Sequence, residues 1–572
     1  MKLSQNFTKT IRDAPSDETS KNAQLLIRAG YIHKTMAGVY SYLPLGLRMI
    51  NKIENIVRKH LNGIGGQEIL MNSLHPKEWW LKANRWDNVD ILFKLNSQTK
   101  TEYALACSHE EQVTPIVQQF VNSWKDLPEY QPIYNYKGEI KLNEITQKSF
   151  RFQFSDFNSN RISKDQIIRF NDKEYSTLYK IKNIFIDANN QRDILDVQNV
   201  NLDYDTVNGV MFKKIKFYND DKTLPDIKDR NHTFCMVNLE LYETNYTRIF
   251  PLAVYQIQTK FRDELRAKSG LLRGREFRMK DMYDFHATKE SADAYYELVK
   301  ATYFKIYQEM GLQAYAVHAS GGIFTSNDSH EFQVISPAGE DEIFYDEKTG
   351  YAINSEIVEE MKAKGQNIPE GLSKAISAEV GNIFKLDDKY TKAFGVTFVD
   401  RDNKPQTPLM NCHGIGTSRC MAILAEIYSD EKGLKLPAQV APFELHLITN
   451  INVKDDPEIN TKIQDIANRI YNGELKLIKK SKGGYNLLDT SNINQLLELA
   501  KEDNSFDLNN LGKSDQILWD DRAGKVSIGE KLKDADLIGC PVQIVISKRS
   551  IENGGLEVIT RNDGEKFVVS VY

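Results

Sequence analysis

Paired cysteines, long apolar runs and a large excess of charge of one sign are all absent from this sequence of 572 residues. Its five cysteines form no Cys-X-X-Cys pair, which argues against a zinc site or a disulfide framework and fits a reducing cytoplasm. No run of about 18 apolar residues suggests a membrane span. The formal net charge is only −5, so any contact with RNA must come from local basic patches.

The first residues of the chain also lack the apolar core of a signal peptide. The length exceeds what one hydrophobic core usually serves, which predicts several domains. A hydrophobic content of 41% with 27% charged residues is typical of a soluble globular protein.

Residues 261–277 are dense in charge and are the most informative segment. Arg262 and Glu264 are two apart, and side chains two apart on a strand share a face. That face would present a cation to a phosphate and a carboxylate to the amines of a nucleotide. The basic loop that follows predicts a hairpin able to fold over a triphosphate, with an arginine and an aromatic residue placed to sandwich adenine. The alternative is a charged surface hairpin.

A second segment, 414–419, reads Gly-Ile-Gly-Thr-Ser-Arg and precedes an apolar helical stretch at 421–427. Glycines let the backbone approach a ligand closely. Arg419 at the helix start adds charge where backbone amides already favour anions. Alone, this pattern is weak evidence.

Together these two segments resemble motifs 2 and 3 of class II aminoacyl-tRNA synthetases. The sequences at 255–264 and at 275–286 are close to those of the bacterial-type prolyl-tRNA synthetases. N-terminal segments such as 26–32 also resemble that family, and all these segments occur in the family's order. The resemblance implies an α/β (α+β) protein. It would have an antiparallel β-sheet catalytic domain flanked by helices, a C-terminal α/β anticodon-binding domain and a β-rich insertion.

The resemblance also implies a domain organisation. A catalytic domain would span 1–440, interrupted at 129–250 by the β-rich insertion, which is either structural decoration or an RNA-contacting appendage. A short linker at 355–375 replaces the editing domain that bacterial prolyl enzymes usually carry, so we expect no editing in cis and misactivation of alanine. Residues 441–572 would form the anticodon-binding domain, with an insertion at 474–513.

Several elements follow from local pattern. Apolar spacing predicts an amphipathic helix over 49–61 and a strand that starts at 68–71, which in the family form a dimer interface. Alternating runs at 179–186 and 210–217 predict strands within the insertion. A Leu-rich stretch near 496–499 predicts a helix.

Amino-acid activation joins a carboxylate to the α-phosphate of ATP, so alignment and charge neutralisation are its main needs. By resemblance, Arg262 bridges the α-phosphate and the substrate carboxylate, Glu264 holds the adenine amine or its adjacent water, and these two act with Arg419 in catalysis. Glu379 would lie near the ribose and a metal, and magnesium is implied because its oxygen-rich shell suits bridging phosphates. The implied ATP-binding residues are Arg262, Glu264, Arg273, Phe277, Glu379 and Arg419.

The substrate pocket must hold a small secondary amine with an apolar ring, which calls for a carboxylate beside apolar walls. The resemblance assigns the prolyl nitrogen to Ser108 and Glu110. Without it, a lone histidine or cysteine would be assigned to the core. The implied proline-binding residues are Ser108, Glu110, Arg262, Phe285, His286, Cys412 and His413.

For tRNA(Pro), Arg266 matches a motif 2 position near the acceptor end. Asp521, Arg522 and Lys531 are candidates for reading guanines of the anticodon, because sequence-specific RNA readout favours splayed loops. A solvated, salt-bridged surface is an equal alternative for these three. Homodimerisation is implied by the family alone.

The sequence departs from the family pattern near the amino-acid side of the site, at Asn72, Ser108, Asn382, Asp387, Asp388 and His413. The nucleotide residues are intact, which favours a working proline-tRNA ligase. A synthetase-like tRNA-binding protein with lost activation stays an alternative. A threonyl or alanyl relative is a third, although the zinc-ligand spacing of a threonyl type is absent.

Overall fold

A computed structural model describes the chain except residues 128–131, 146–148, 155–166, 172–175, 188–191, 200–233, 243–251, 268, 321–328, 364–367, 453, 480–484, 490–515, 525 and 571–572. For 132–242, 477–479 and 485–489 it describes the backbone of the strands alone. The α-helices of the described part are α1 (Lys21–Arg28), α2 (Pro44–Asn62), α3 (Lys77–Lys82), α4 (Glu110–Gln118), α5 (Lys289–Met310), α6 (Val358–Ala363), α7 (Lys389–Ala393), α8 (Thr417–Ile427), α9 (Pro457–Tyr471), α10 (Ile528–Ile538) and α11 (Lys548–Glu552).

The strands before the insertion are β1 (Ile32–Met36), β2 (Val39–Tyr42), β3 (Gln67–Glu68), β4 (Leu74–Pro76), β5 (Lys94–Asn96) and β6 (Glu102–Leu105). Those of the insertion are β7 (Pro132–Ile145), β8 (Ser149–Phe154), β9 (Ile167–Asn171), β10 (Ser176–Asp187), β11 (Arg192–Asn199) and β12 (Phe234–Tyr242). The core continues with β13 (Leu252–Phe261), β14 (Glu276–His286), β15 (Ala314–Ala319), β16 (Ser329–Ile335), β17 (Asp341–Tyr345), β18 (Ala352–Asn354), β19 (Ser373–Asp387), β20 (Phe398–Val399), β21 (Pro405–Gln406) and β22 (Leu409–Ile415). The C-terminal strands are β23 (Leu445–Thr449), β24 (Leu475–Lys479), β25 (Tyr485–Asp489), β26 (Ile517–Asp520), β27 (Val542–Ile546), β28 (Gly555–Thr560) and β29 (Lys566–Ser570).

A nine-stranded sheet in the order β16-β15-β18-β17-β19-β22-β14-β13-β3 forms the core of the catalytic region. Its pairs are antiparallel except β13 with β3 and β15 with β18. Strand β16 also pairs with β19, so this end of the sheet curls back on itself. The predicted antiparallel catalytic sheet is confirmed.

The two faces of this sheet enter two different cores, because side chains alternate along a strand. On β14, Tyr283 and Phe285 join Met410 and Cys412 of β22 in one apolar cluster. Met282, which precedes Tyr283, joins the larger core instead, with residues of α2, α5 and α8. The sheet therefore has a front, on the side of α4 and α7, and a back covered by long helices.

Helix α2 lies on the back of the sheet and confirms the predicted amphipathic helix. It starts with Pro44, whose missing N–H costs nothing at a first helical position. Ile50, Ile53 and Val57 share one buried face. The strand predicted at 68–71 is shorter than expected, since only Gln67–Glu68 pairs with β13.

Glu54 of α2 makes a buried ion pair with Arg278 of β14 that joins helix and sheet. Both carboxylate oxygens accept from the guanidinium at 2.9 Å, and the carboxylate side chain is 2% exposed. Glu54→Ala should lower the unfolding free energy of the catalytic core by about 3 kcal/mol, because Arg278 then loses its counter-charge.

Thermal unfolding of the purified protein tests this prediction. The matched control is Glu557→Ala, which removes an exposed partner of Lys566 and should change stability by less than about 0.5 kcal/mol. Equal unfolding temperatures for the two variants would show that the ion pair of Glu54 and Arg278 does not stabilise the core.

The six strands of the inserted segment close into a barrel in the order β10-β11-β8-β7-β12-β9. Every neighbouring pair is antiparallel, and closure removes the exposed strand edges that invite aggregation. The predicted strand at 179–186 falls within β10. The run at 210–217 lies outside the described residues, and the boundaries 129–250 stay a prediction.

The C-terminal region forms a five-stranded sheet in the order β26-β23-β27-β28-β29. Strands β26, β23 and β27 are parallel, and the last two are antiparallel. This confirms a C-terminal α/β domain. In the predicted insertion at 474–513, β24 and β25 form a hairpin, whereas 496–499 lies outside the described residues. No helix among the described residues is long and apolar enough to cross a membrane.

Candidate active site

The hairpin of β13 and β14 carries the predicted nucleotide residues at its open end. Ten residue pairs run from Leu252–Phe285 to Phe261–Glu276, which confirms the predicted hairpin. The chain then leaves the strand, and Glu264 N–H donates to the carbonyl of Arg262 at 2.7 Å in a tight turn. The prediction that Arg262 and Glu264 share a strand face is therefore wrong, because both lie beyond the end of β13.

The turn is held against the N-terminal hairpin of β1 and β2. Arg275 N–H donates to Gly38 O at 2.8 Å, and its guanidinium donates to Ala37 O at 3.2 Å. Gly38 has φ +74°, and a Cβ there would approach Ala267 Cβ to 2.5 Å. Only glycine allows this contact, which fixes the loop that carries Glu264.

Arg262 places a cation in the cleft in front of the sheet. Its guanidinium lies 5.1 Å from the ring centre of Phe277, and its buried Nε has no hydrogen-bond partner among the described residues. Burial, and then the positive charge of Arg419, lower the pKa of Arg262. A guanidinium in this environment favours an anionic ligand, because the ligand would restore the lost solvation.

Arg419 lies in the first turn of α8, opposite Arg262. Its Nη1 donates to Glu379 Oε2 at 2.7 Å and to Glu379 O at 3.1 Å, while its Nε donates to Leu272 O at 2.9 Å. Burial opposes the charge of Arg419, but the carboxylates around it outweigh this effect and raise the pKa of Arg419.

A β-bulge in β19 brings Glu379 into the cleft. The pairs Phe332–Gly381 and Gln333–Glu379 leave Val380 without a partner in the ladder. The extra residue reverses the alternation, and Glu379 Oε1 accepts from Asn382 Nδ2 at 2.8 Å.

Two further carboxylates lie near Glu379. Burial, followed by the charge of Glu379, raises the pKa of Glu331 to about 8. Burial is likewise the largest effect that raises the pKa of Asp341. Accumulated negative charge of this kind is relieved by a cation.

The structure therefore places the six predicted ATP-binding residues in one cleft. Glu264 is 8% exposed, and its carboxylate accepts from Arg273 Nε at 2.9 Å. Arg273 also pairs with Glu340 at 3.0 Å. The charges of Glu264, Glu379 and Arg419 all act on Arg262.

A second polar site lies beside the cleft, where α4 begins. Ser108 Oγ donates to Glu110 Oε2, and Cys412 Sγ–H donates to Glu110 Oε1 at 3.2 Å. Glu110 is fully buried, and Phe285 lies in the same apolar cluster as Cys412. The structure thus brings Ser108, Glu110, Cys412 and Phe285 to the front of the sheet, as a carboxylate beside apolar walls.

His286 and His413 were predicted to line the same pocket, and this prediction is wrong. Both alternate with Phe285 and Cys412 along their strands, so they face the back of the sheet. The Nε2–H of each donates to the Asp284 carboxylate at 2.5 Å, and His286 Nδ1 also contacts Ser291 Oγ of α5 at 2.9 Å. Burial is the largest effect that lowers the pKa of His413.

The other departures from the family pattern have local roles. Asn72 is exposed, and its backbone carbonyl accepts from His109 at 2.9 Å and from His75 at 3.1 Å, so its side chain is dispensable there. Asp387, the last residue of β19, has φ +50°, and Asp388 is the N-cap residue of α7 without a side-chain cap hydrogen bond.

The predicted tRNA residues differ in accessibility. Arg266 is exposed. Asp521 accepts from Ser4 N–H at 2.9 Å and from Ser4 Oγ at 2.6 Å, and Arg522 donates to Asp520 at 2.6 Å. Lys531 is 2% exposed and donates to Thr449 O at 2.7 Å, so its ammonium serves the fold in this arrangement. Their tRNA roles stay predictions.

Sequence reasoning missed three polar residues of the site, Arg85, Glu331 and Asp341. Glu331 lies in the Ser-His-Glu-Phe segment at 329–332, which was a usable signal. Arg85 follows Ala83 and Asn84 in a segment rich in tryptophan. The only sequence signal for it is this Ala-Asn pair, which is typical of a helix end.

Two family models match segments of this sequence. Residues 229–428 match the tRNA synthetase class II core domain of the G, H, P, S and T types, and residues 512–572 match an anticodon binding domain. Curated proline–tRNA ligases align along the whole chain. That of Anaplasma phagocytophilum is 27% identical over 587 residues, covering 100% of this chain and 98% of its own.

The chain therefore carries a class II tRNA synthetase core domain and an anticodon binding domain, and along its whole length it is similar to curated proline–tRNA ligases. The proline–tRNA ligase of Geobacillus kaustophilus is 25% identical over 722 residues and covers the same shares of the two chains, 100% and 98%. Solved structures share the fold of this synthetase. Giardia lamblia prolyl-tRNA synthetase with prolyl-adenylate has a TM-score of 0.56 at 16% identity, over 96% of this chain and 73% of that one.

A second solved structure agrees with the first. Prolyl-tRNA synthetase of Cryptosporidium parvum with L-proline and AMP has a TM-score of 0.55 at 12% identity, over 96% of this chain and 72% of that one. This synthetase thus has the fold of its class, and its cleft contains the arginines and carboxylates described above.

Proposed function

We propose that this synthetase activates proline with ATP, releases pyrophosphate, and transfers the prolyl group to the 3′ end of tRNA(Pro). The observation that carries the proposal is the position of Arg262 between the two parts of the site. The charge of Glu379 in the nucleotide cleft acts on its guanidinium. On the other side, the preceding residue Phe261 donates its N–H to Ala106 O at 3.0 Å, in the segment that leads to Ser108. A cation there can bind the two reacting anions at once.

In the first step, a carboxylate oxygen of proline attacks the α-phosphorus of ATP. The new bond is O–P, and the bond between the α- and β-phosphates breaks, so pyrophosphate leaves. Arg262 neutralises the charge that repels the two reactants. Phe277 stacks on adenine, Glu264 accepts from the adenine amine, and Arg273 leaves its ion pairs to bind the γ-phosphate.

Glu110 and Ser108 accept hydrogen bonds from the secondary ammonium of proline. Cys412 and Phe285 provide the apolar wall that contacts the ring. In the second step a terminal ribose hydroxyl of the tRNA attacks the activated carbonyl, and AMP leaves. Arg266 supports the acceptor end, while Asp521 and Arg522 contact the anticodon, with Lys531 behind them.

Magnesium fits the acidic side of the cleft. Mg²⁺ usually binds through one or two carboxylates together with substrate phosphates, and Glu379 with its neighbour Glu331 supplies that donor set. No group of three metal-ligating side chains converges anywhere in the described ranges, so the substrate phosphates would have to supply the other ligands. When bound, the ion would neutralise phosphate charge and orient the leaving pyrophosphate.

We also propose that the enzyme works as a cytoplasmic homodimer, which rests on the family alone. The second candidate function is a tRNA-binding relative without activation. The departures on the amino-acid side motivate it, but the complete set of nucleotide residues opposes it.

The deciding experiment is amino-acid-dependent exchange of pyrophosphate into ATP, with proline, alanine, cysteine and threonine in parallel. We expect strong exchange with proline, weak exchange with alanine and none above background with threonine. ATP binding without exchange for any amino acid would establish the second candidate instead.

A further inference from the structure

Arg85 is a buried arginine that the proposed chemistry leaves without a role. It follows helix α3, which ends in a Schellman motif. Asn84 adopts φ +55° and donates to Leu81 O at 3.0 Å, and Arg85 N–H donates to Trp80 O at 2.8 Å. This helix end turns the side chain of Arg85 inward, so its position follows from the sequence Ala-Asn-Arg.

The guanidinium of Arg85 contacts the amino-acid pocket from behind. Its Nη1 lies 2.7 Å from Glu111 Oε1, 3.2 Å from Glu110 Oε2 and 3.3 Å from Ser108 Oγ. It is 4% exposed, and it lies 5.2 Å from the ring centre of Trp80. These contacts reach both residues assigned to the prolyl nitrogen, while the guanidinium stays behind them.

The charges of the cluster explain why a cation is needed there. Glu110 and Glu111 are adjacent and completely buried. Two buried carboxylates side by side favour protonation of one of them. One guanidinium compensates for one carboxylate, so a single negative charge remains for the ammonium of the substrate.

The titration of Glu111 is set by groups on three elements. Burial raises the pKa of Glu111 to about 7, against the opposing charge of Arg85, and the charge of Glu110 adds to the rise. Lys389 and Tyr390 face the pair from α7, and Cys107 lies on the preceding loop. Lys260 of β13 acts on Glu110 from the sheet. Arg85 is the cation that contacts both carboxylates directly, so its removal would raise the pKa of Glu111 further.

We propose that Arg85 is a positioning residue of the amino-acid pocket, which holds the Glu110 carboxylate aimed at the substrate amine without contacting the substrate. The inference rests on the proposed function, since it concerns the recognition of proline. It predicts a specific loss in the binding of the amino acid, with the nucleotide cleft unaffected.

The test measures pyrophosphate exchange by the full chain between pH 6 and 9, with separate KM values for proline and ATP. Arg85→Met should raise KM for proline by about 100-fold, as loss of one partner of a buried charge pair does, and leave KM for ATP within about twofold. Arg85→Lys retains the charge and should recover part of the loss. Arg469→Met, far from the site in α9, is the matched control and should leave both constants unchanged.

The pH profile separates positioning from mere structural support. In the unaltered enzyme, 1/KM for proline should fall below about pH 7, as Glu111 takes up a proton. In Arg85→Lys this fall should move to higher pH, because the shorter lysine side chain does not bring its charge as close to Glu111 as Nη1 of Arg85 does. In Glu111→Gln the fall should disappear, with a smaller rise in KM.

Parallel changes in the KM for proline and the KM for ATP, or a normal KM for proline in Arg85→Met, would overturn the inference. If Arg85→Met does not fold, the split between the two KM values in Arg85→Lys decides. Absence of proline-dependent exchange in the unaltered chain would refute the proposed function and the inference with it. If the unaltered chain shows normal exchange but Arg85→Lys changes the KM for proline and the KM for ATP equally, only the inference is refuted.

Discussion

Arg262→Met is expected to lower kcat/KM for proline-dependent pyrophosphate exchange by about 10³-fold, as loss of a charged transition-state contact does. Arg262 is the cation whose buried Nε has no partner among the residues described, and methionine fills a similar volume without charge. The loss should fall mainly on kcat, because the negative charge that Arg262 neutralises is greatest as the α-phosphate is attacked.

Two variants control this experiment. Arg262→Lys restores a positive charge without the forked geometry of a guanidinium. We expect its kcat/KM to be about tenfold higher than that of Arg262→Met. Arg469→Met should retain full exchange. A fall of less than tenfold in Arg262→Met would show that Arg262 does not bridge the two reactants.

The second large effect concerns alanine. A pocket that fits proline gains little discrimination against a smaller side chain, about 1–3 kcal/mol for each missing methylene. Alanine should therefore be activated, with kcat/KM about 10²- to 10³-fold below that for proline. We expect the enzyme to leave the resulting Ala-tRNA(Pro) intact.

The reason is the short connection between β18 and β19. Residues 355–372 contain a single turn at Ser355–Ile357 and helix α6 in their described part. A stretch of this length is below the size at which a chain usually forms a folded domain. The catalytic region thus lacks room at this point for a separate hydrolytic site.

Hydrolysis of preformed Ala-tRNA(Pro) measures this directly. The ester should decay with the purified enzyme at the same rate as in buffer alone, and Pro-tRNA(Pro) serves as the matched substrate. Enzyme-dependent clearance of the alanyl ester would contradict the prediction. It would then direct attention to the barrel of the insertion, which is the largest addition to the catalytic region.

The resemblance seen in the sequence was sufficient to predict which residues of the proposed nucleotide side lie together. The residues from Arg262 to Phe277 lie in one hairpin, so local order along the chain already brings them together. Arg419 joins them through a second recognisable segment. The structure confirms that these residues meet, while the strand-face argument for Arg262 and Glu264 fails because β13 ends at Phe261.

The amino-acid side could not be predicted in the same way. His286 and His413 are adjacent in sequence to Phe285 and Cys412, and adjacency cannot distinguish the front of a sheet from its back. The distinction requires the register of β14 against β22, which pairs Tyr283 with Cys412 and Met282 with His413. A shift of one residue would exchange the two faces.

The sequence by itself indicated the class of this protein and its main local elements, and it predicted a set of nucleotide residues, because hairpins, helices and motif spacings depend on near neighbours. Only the tertiary structure decided which side chains share a pocket. Arg85 meets Glu110, and Glu379 meets Arg419, through contacts between segments far apart in the chain. Burial of such charges is favourable only where distant partners converge, and that convergence is a property of the folded sheet.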